Sequence, residues 1–147
     1  MKVIKRIQSL KIIQRSQQYG EISLVEIINR NNSKPFITKD TAEIREILSP
    51  GNSSIHNQSL AEATVAPGKT TEEHYHAQVE EIYYILQGKG KINIKGKIRE
   101  VTAGDGIAIA PGMRHSIENI GTTDMVFLCC CSLAYTHEDT VLISSQN

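Results

Sequence analysis

The sequence predicts an all-β domain, a sandwich or closed barrel, on three observations. From Leu60 onward, short apolar runs alternate with polar residues and are cut by Pro67-Gly68, Gly88, Gly90, Gly96, Gly104, Gly106, Pro111-Gly112 and Gly121. Short, evenly spaced strands joined by glycine turns give that pattern. A length of 147 residues suits one domain that buries its own core without staples.

Taken in order, residues 2–15 place Val3, Ile4, Ile7 and Leu10 at nearly helical spacing, with helix and strand both open. Residues 21–28 read as a strand by their β-branched content, and 29–35 as a polar connector. Residues 39–48 read as the one short helix, with Asp40 or Thr41 as N-cap, acids in the first turn and Ser49-Pro50-Gly51 as the stop. Strands are then expected at 60–66, 73–77, 80–87, 90–95, 97–102, 106–110, 114–119 and 125–134. This divides the chain into an N-terminal extension, 1–37, and a β domain, 38–147. The extension carries Ile12, Ile13, Leu24, Val25, Ile27 and Ile28, more apolar surface than one small domain is expected to cover, and pairing with a second subunit in a homodimer is the expectation.

Charge and composition narrow the function. Lys plus Arg equal Asp plus Glu at 16 each, so no net field draws the chain to nucleic acid or to an anionic membrane. Without tryptophan, and with few other aromatics, it offers no stacking platform for single-stranded nucleic acid. No apolar run is long enough to span a bilayer, and the basic N-terminus lacks the apolar core of a signal peptide. The cysteines are Cys129, Cys130 and Cys131 in a row, which excludes a disulfide framework and fits a reducing, cytoplasmic setting. A small-molecule ligand at a local site is left to carry the function.

That site is legible. His74 and His76 stand one residue apart, so on a strand both imidazoles point to one face and can grip one ion. Glu81 follows, then Gly88 at a turn, and His115 arrives about 40 residues later beside Pro111-Gly112. The string Gly68, His74, His76, Glu81, Gly88 and the string Gly104, Gly112, His115, Asn119 resemble the two signature motifs of the cupin family. One departure is present: Ala110 takes the usual proline position and the proline moves to Pro111, which alters a turn rather than a ligand. The resemblance implies a double-stranded β-helix, the cupin jelly-roll barrel, over about residues 38 to 140. It also implies one metal ion held at the barrel mouth by His74, His76, Glu81 and His115.

Three imidazoles and one carboxylate suit a divalent transition metal, Fe, Mn, Ni, Cu, Co or Zn, and are too nitrogen-rich for Ca or Mg. The resemblance also admits Glu80 as the rival ligand, but the family's six-residue count to Gly88 favours Glu81 and implies that Glu80 faces solvent. Period-two alternation turns Tyr83, Ile85, Ile117 and Asn119 inward and Tyr75 away. Tyr83, two residues past Glu81 on the same face, is the candidate proton-transfer group, against the plain alternative that it packs in the core. His56 is expected in a solvated loop, Arg114 at the rim or outside, and His137 at the surface or closing over the mouth. Cys129 and Cys131 share a face, as small core residues do. Two functions fit: a metal-dependent enzyme acting on a small oxygen-bearing substrate, of isomerase, lyase or oxygenase type, or a non-catalytic cupin that binds a metal or metabolite as sensor or store.

Overall fold

The computed structural model describes residues 25–143, and in it the domain is two antiparallel sheets facing each other. The strands are β1 (Phe36–Ile37), β2 (Glu43–Leu48), β3 (Gln58–Val65), β4 (His74–His76), β5 (Glu80–Gln87), β6 (Lys89–Ile94), β7 (Lys97–Thr102), β8 (Gly106–Ile109), β9 (His115–Asn119), β10 (Met125–Ser132) and β11 (Thr140–Leu142). One sheet runs β1-β2-β3-β10-β5-β8 and the other β11-β4-β9-β6-β7. Each expected strand from 60 to 134 is present, with ends shifted by at most two residues.

The expected helix at 39–48 is instead a β-hairpin. Phe36 pairs with Ile44 and Ile37 with Glu43, while the Thr38 and Thr41 amides bond to the Ala42 and Thr38 carbonyls, so Asp40 and Thr41 form a turn rather than an N-cap. β2 then continues along β3, with Ile44 opposite Ala63 and Glu46 opposite Ala61, until the register shifts between Glu46 and Leu48. Period-two pairing up to that bulge places Glu46 on the same inner face as Ile44, and a glutamate there interrupts the apolar alternation that would have marked a strand. Pairing with β3 outweighs helix propensity.

The expectations for 2–15, for 21–24 and for Ile12, Ile13 and Leu24 lie outside the described residues. Residues 25–28 carry no strand. They precede a single 3₁₀ turn, Arg30–Asn32, whose first residue follows Asn29, and the Asn29 side chain accepts from the Asn31 amide. β-Branched content expresses a fit to a pleated surface, not a backbone preference of its own. This segment meets the domain through side chains instead: Glu26 accepts from the Ser54 amide at 3.0 Å, and Arg30 Nε donates to Glu62 at 2.7 Å.

The core lies between the sheets. Ala63, Val65, Tyr83, Ile85, Ile107, Ile109 and Phe127 from one sheet meet Ile92, Val101 and Ile117 from the other, with Met125. Alternation is clean on β9 and β10 and on β5 as far as Ile85, where every second residue is buried. Gly88, between β5 and β6, has φ +91°, and a Cβ there would stand 2.9 Å from the Met125 Cα, so both turn and packing require glycine. Asn119, expected to face inward, is fully buried; its amide donates to the Val65 and Thr123 carbonyls and its Oδ1 accepts from Gly121. It fixes the chain at the end of β9.

Candidate metal centre

β4 carries His74 and His76 on its inner face, with Tyr75 between them turned the other way and half-buried. β9 runs antiparallel to β4 with His115 directly opposite His74. Glu81 arrives from the facing sheet, on β5, where Cys131 of β10 and Ile109 of β8 flank it. The four ligand atoms lie within 4.8 Å of one another, and all four side chains are buried. His76 Nε2 stands 3.3 Å and His115 Nε2 3.5 Å from Glu81 Oε2. Glu80 is exposed, as are His56, Arg114 and His137.

The groups behind the imidazoles fix which nitrogen faces the centre. His74 Nδ1 donates to the Glu72 carbonyl at 2.9 Å and His115 Nδ1 to the Met113 carbonyl at 2.8 Å. A carbonyl only accepts, so both rings carry hydrogen on Nδ1 and turn an Nε2 lone pair inward. His76 Nδ1 lies 3.3 Å from Thr140 Oγ1, whose own proton goes to the Thr136 carbonyl, so this ring is oriented in the same way. These outer hydrogen bonds are the arrangement that orients histidine ligands on a metal.

The Pro111 displacement proves compatible with the site. Met113 N–H closes on the Ala110 carbonyl and Gly112 has φ +74°, which fits a type II turn with proline second and glycine third. The Gly112 amide also donates to the His76 carbonyl at 2.7 Å, tying this turn to β4. His115 follows two residues after the Met113 carbonyl that orients it.

Glu81 Oε2 and His115 Nε2 are buried with no hydrogen-bond partner. Orphaned polar atoms at the focus of four ligand groups are costly unless a cation joins them, so the residues present fit a divalent transition metal. Burial raises the Glu81 pKa, but His115 and His76, which donate to it and add positive charge when they are protonated, outweigh burial and hold the carboxyl at about 2. A metal ion acts in the same direction. His74 is driven below its ordinary value by burial and by His115, which favours the neutral, ligating form.

Several contributors escaped sequence reading. Cys131 Sγ lies 3.5 Å from Glu81 Oε1 and donates to it, which leaves Oε2 for the histidines. Burial and the Glu81 charge raise the thiols of Cys129 and Cys131, so neither is a thiolate nucleophile. Thr140 belongs to β11, a strand too short to show as a periodic run. Asp40, Glu46 and Tyr135 join His74, His76, Glu81, Cys129 and Cys131 around a cavity that opens from the centre between β1, β2 and β3. Tyr83 is not part of that wall. It is buried, its ring 4.6 Å from Phe127 and 5.9 Å edge-on to His115. His137 sits at the rim, where its ring is 5.5 Å from Tyr135 and 6.5 Å from Phe36. Among the described residues no helix is long and apolar enough to cross a membrane.

Comparison with known proteins agrees with the geometry. A family model described as a cupin domain matches residues 61–131. An uncharacterized protein of Methanocaldococcus jannaschii is 47% identical over 110 residues, covering 75% of this chain and 88% of that one. An oxalate-binding protein of Thermotoga maritima is 38% identical over 92 residues, 61% of this chain and 74% of that one. Among solved structures, a predicted oxalate decarboxylase from Thermotoga maritima superposes with a TM-score of 0.65 at 32% identity, covering 74% of this chain and 99% of that one. The polyketide cyclase RemF from Streptomyces resistomycificus reaches 0.69 at 21% identity over 83% of this chain and 89% of its own, a likeness of fold alone.

Proposed function

Because the chain belongs to the cupin domain family, we propose that it binds one divalent transition metal through His74, His76, Glu81 and His115 and uses it as an enzyme on a small, oxygen-bearing substrate. The observation that carries this reading is the convergence of four buried side chains whose ligand atoms lie within 4.8 Å, two of those atoms without a hydrogen-bond partner. When bound, such an ion supplies a Lewis acid with positions left for a bidentate oxygen ligand, since four protein groups do not fill an octahedral shell. The protein's own share is orientation and water exclusion. The Glu72 and Met113 carbonyls and Thr140 aim the imidazoles, Cys131 aims Glu81, and the β1–β2 hairpin closes one side of the cavity.

Isomerase, lyase and oxygenase chemistry all use such a site, and the fold does not choose among them. A proton-transfer group must touch the ligand. Asp40, Glu46 and Tyr135 stand on the cavity wall, whereas Tyr83 is absent from it and meets the centre edge-on at His115.

A second reading, a non-catalytic binder of a metal or metabolite, is favoured by the relative named as an oxalate-binding protein. One experiment separates the two. Metal content is measured on the purified chain after metal is offered, and the protein is screened with hydroxy acids, sugars and catechol-like compounds, with and without dioxygen. Turnover by the loaded protein supports the enzyme; ligand binding without turnover supports the binder; no metal uptake rejects the metal-dependent enzyme and leaves only a metabolite binder, which failure to bind any ligand then rejects.

We also propose a homodimer. The outer face of β5 exposes Ile82, Tyr84 and Leu86, each 44–47% accessible, in one line. A stripe of this kind on a sheet face is covered at low cost by its own copy across a two-fold axis.

A further inference from the structure

The cavity beside the metal centre has Asp40 and Glu46 on its wall and no lysine or arginine among its lining residues. Glu46 points inward because it pairs with Ala61, which packs against the core. Its Oε1 accepts from Ser49 Oγ at 2.7 Å, and Oε2 has no partner among the described residues. Asp40, 9% exposed, accepts from Thr38 Oγ1 and holds Oδ2 3.9 Å from His74 Nδ1. Lys39, the cation at this rim, is engaged by the His137 and Thr140 carbonyls rather than aimed inward. Glu81 Oε2, buried and without a hydrogen-bond partner, belongs to the metal centre on the same wall. The space open to the centres of waters is about 50 Å³. At roughly 10–15 Å³ for each water, that admits a ligand of a handful of heavy atoms.

A metal at the centre attracts oxygen donors, and two further carboxylates on the same cavity wall repel negative charge in a poorly solvated space. We propose that Glu46, supported by Asp40, selects the ligand: it binds the metal through oxygen at one end and presents an N–H or O–H donor, uncharged or cationic, to Glu46 at the other. Dicarboxylates are disfavoured. The inference rests on the metal reading of the same site and adds the chemical class of the molecule that the site takes.

The test uses the full chain loaded with Co(II), whose visible spectrum reports ligand binding, after metal content has been measured. Three probes of one length share a carboxylate at one end: 3-aminopropanoate is cationic at the other, malonamate is a neutral donor and malonate is anionic. The expected order places 3-aminopropanoate and malonamate at least ~10-fold tighter than malonate, about 1.4 kcal/mol. Glu46→Gln should bring malonate within ~3-fold of malonamate while metal content stays unchanged. Asp40→Asn serves as a second variant if Glu46→Gln does not fold, and it should move the ratio in the same direction. Malonate binding the parent as tightly as the other two overturns the proposal, as does a ratio unmoved in the variants or binding of none of the probes, each with the metal reading intact. A chain that takes up no metal fails the metal reading first, and this inference with it.

Discussion

His74 and His115 are a directly opposed cross-strand pair, their rings 4.2 Å apart, although 40 positions separate them in the chain. The antiparallel pairing of β4 with β9 sets the distance between these two ligands, and the 5.2 Å approach of the His74 and His76 rings comes from β4 alone. One ligand pair is local and the other is made by sheet register.

The first prediction concerns metal removal. Replacing His115 by Ala should abolish tight metal binding and leave the domain folded, because the sheets are held by the buried core rather than by the ion. Metal content by elemental analysis, beside an unfolding curve, checks both halves. Full metal content in the variant would reject His115 as a ligand.

Cys131 is expected to matter through Glu81. Its thiol donates to Oε1, so Cys131→Ala should weaken metal affinity ~10-fold or more, as loss of outer partners does elsewhere, whereas Cys131→Ser should retain most of it. Competition with a chelator of known affinity reads the difference. Equal affinity in all three proteins would make the cysteine a core filler only.

The metal-free protein should lose stability on acidification through the imidazole range. Burial depresses the folded-state pKa of His74 below its ordinary 6.5, so the unfolded chain takes up that proton first. This part of the stability is fully present above pH 6.5 and is lost as pH falls below it towards the depressed folded value, by at most about 1.4 kcal/mol per pH unit for one proton. Denaturant unfolding between pH 7 and 5 should show a shallower slope in His74→Gln than in the parent. An identical slope would remove His74 from the account.

The two tyrosines should separate packing from chemistry once a substrate is found. Tyr135, whose phenol is raised chiefly by burial and bonded to His137 at 3.2 Å, lines the cavity; Tyr83 packs behind His115. Tyr135→Phe is expected to lower the rate ~10²-fold or more, as loss of a proton-transfer group does. Tyr83→Phe keeps its ring contacts and is expected to change the rate less. The reverse ranking would restore Tyr83 as the acid or base.

For assembly, light scattering at micromolar concentration should give a dimer mass for the parent and a monomer for the Tyr84→Lys, Leu86→Lys double variant. Both side chains are exposed in the single chain, so the substitutions do not disturb its core. A monomeric parent would end the proposal.

What the sequence determined by itself was whatever depends on local spacing. Alternation located eight strands, and His-x-His followed by Glu81 and by His115 beside a Pro-Gly turn named the candidate ligands, because side chains on a strand repeat every two residues. Tertiary structure decided whatever depends on which strand finds which edge. Residues 43–48 carry helix-like spacing and became β2 because β3 offered an edge, and pairing with Ala61 turned Glu46 inward. Thr140, Tyr135 and Asp40 joined the centre through loops and a three-residue strand that no periodicity marks. Tyr83 faced inward, as alternation requires, yet the depth of the sheet placed it behind His115 rather than on the cavity. Alternation tells which side of a sheet a residue takes, and only the packing of two sheets tells what it meets there.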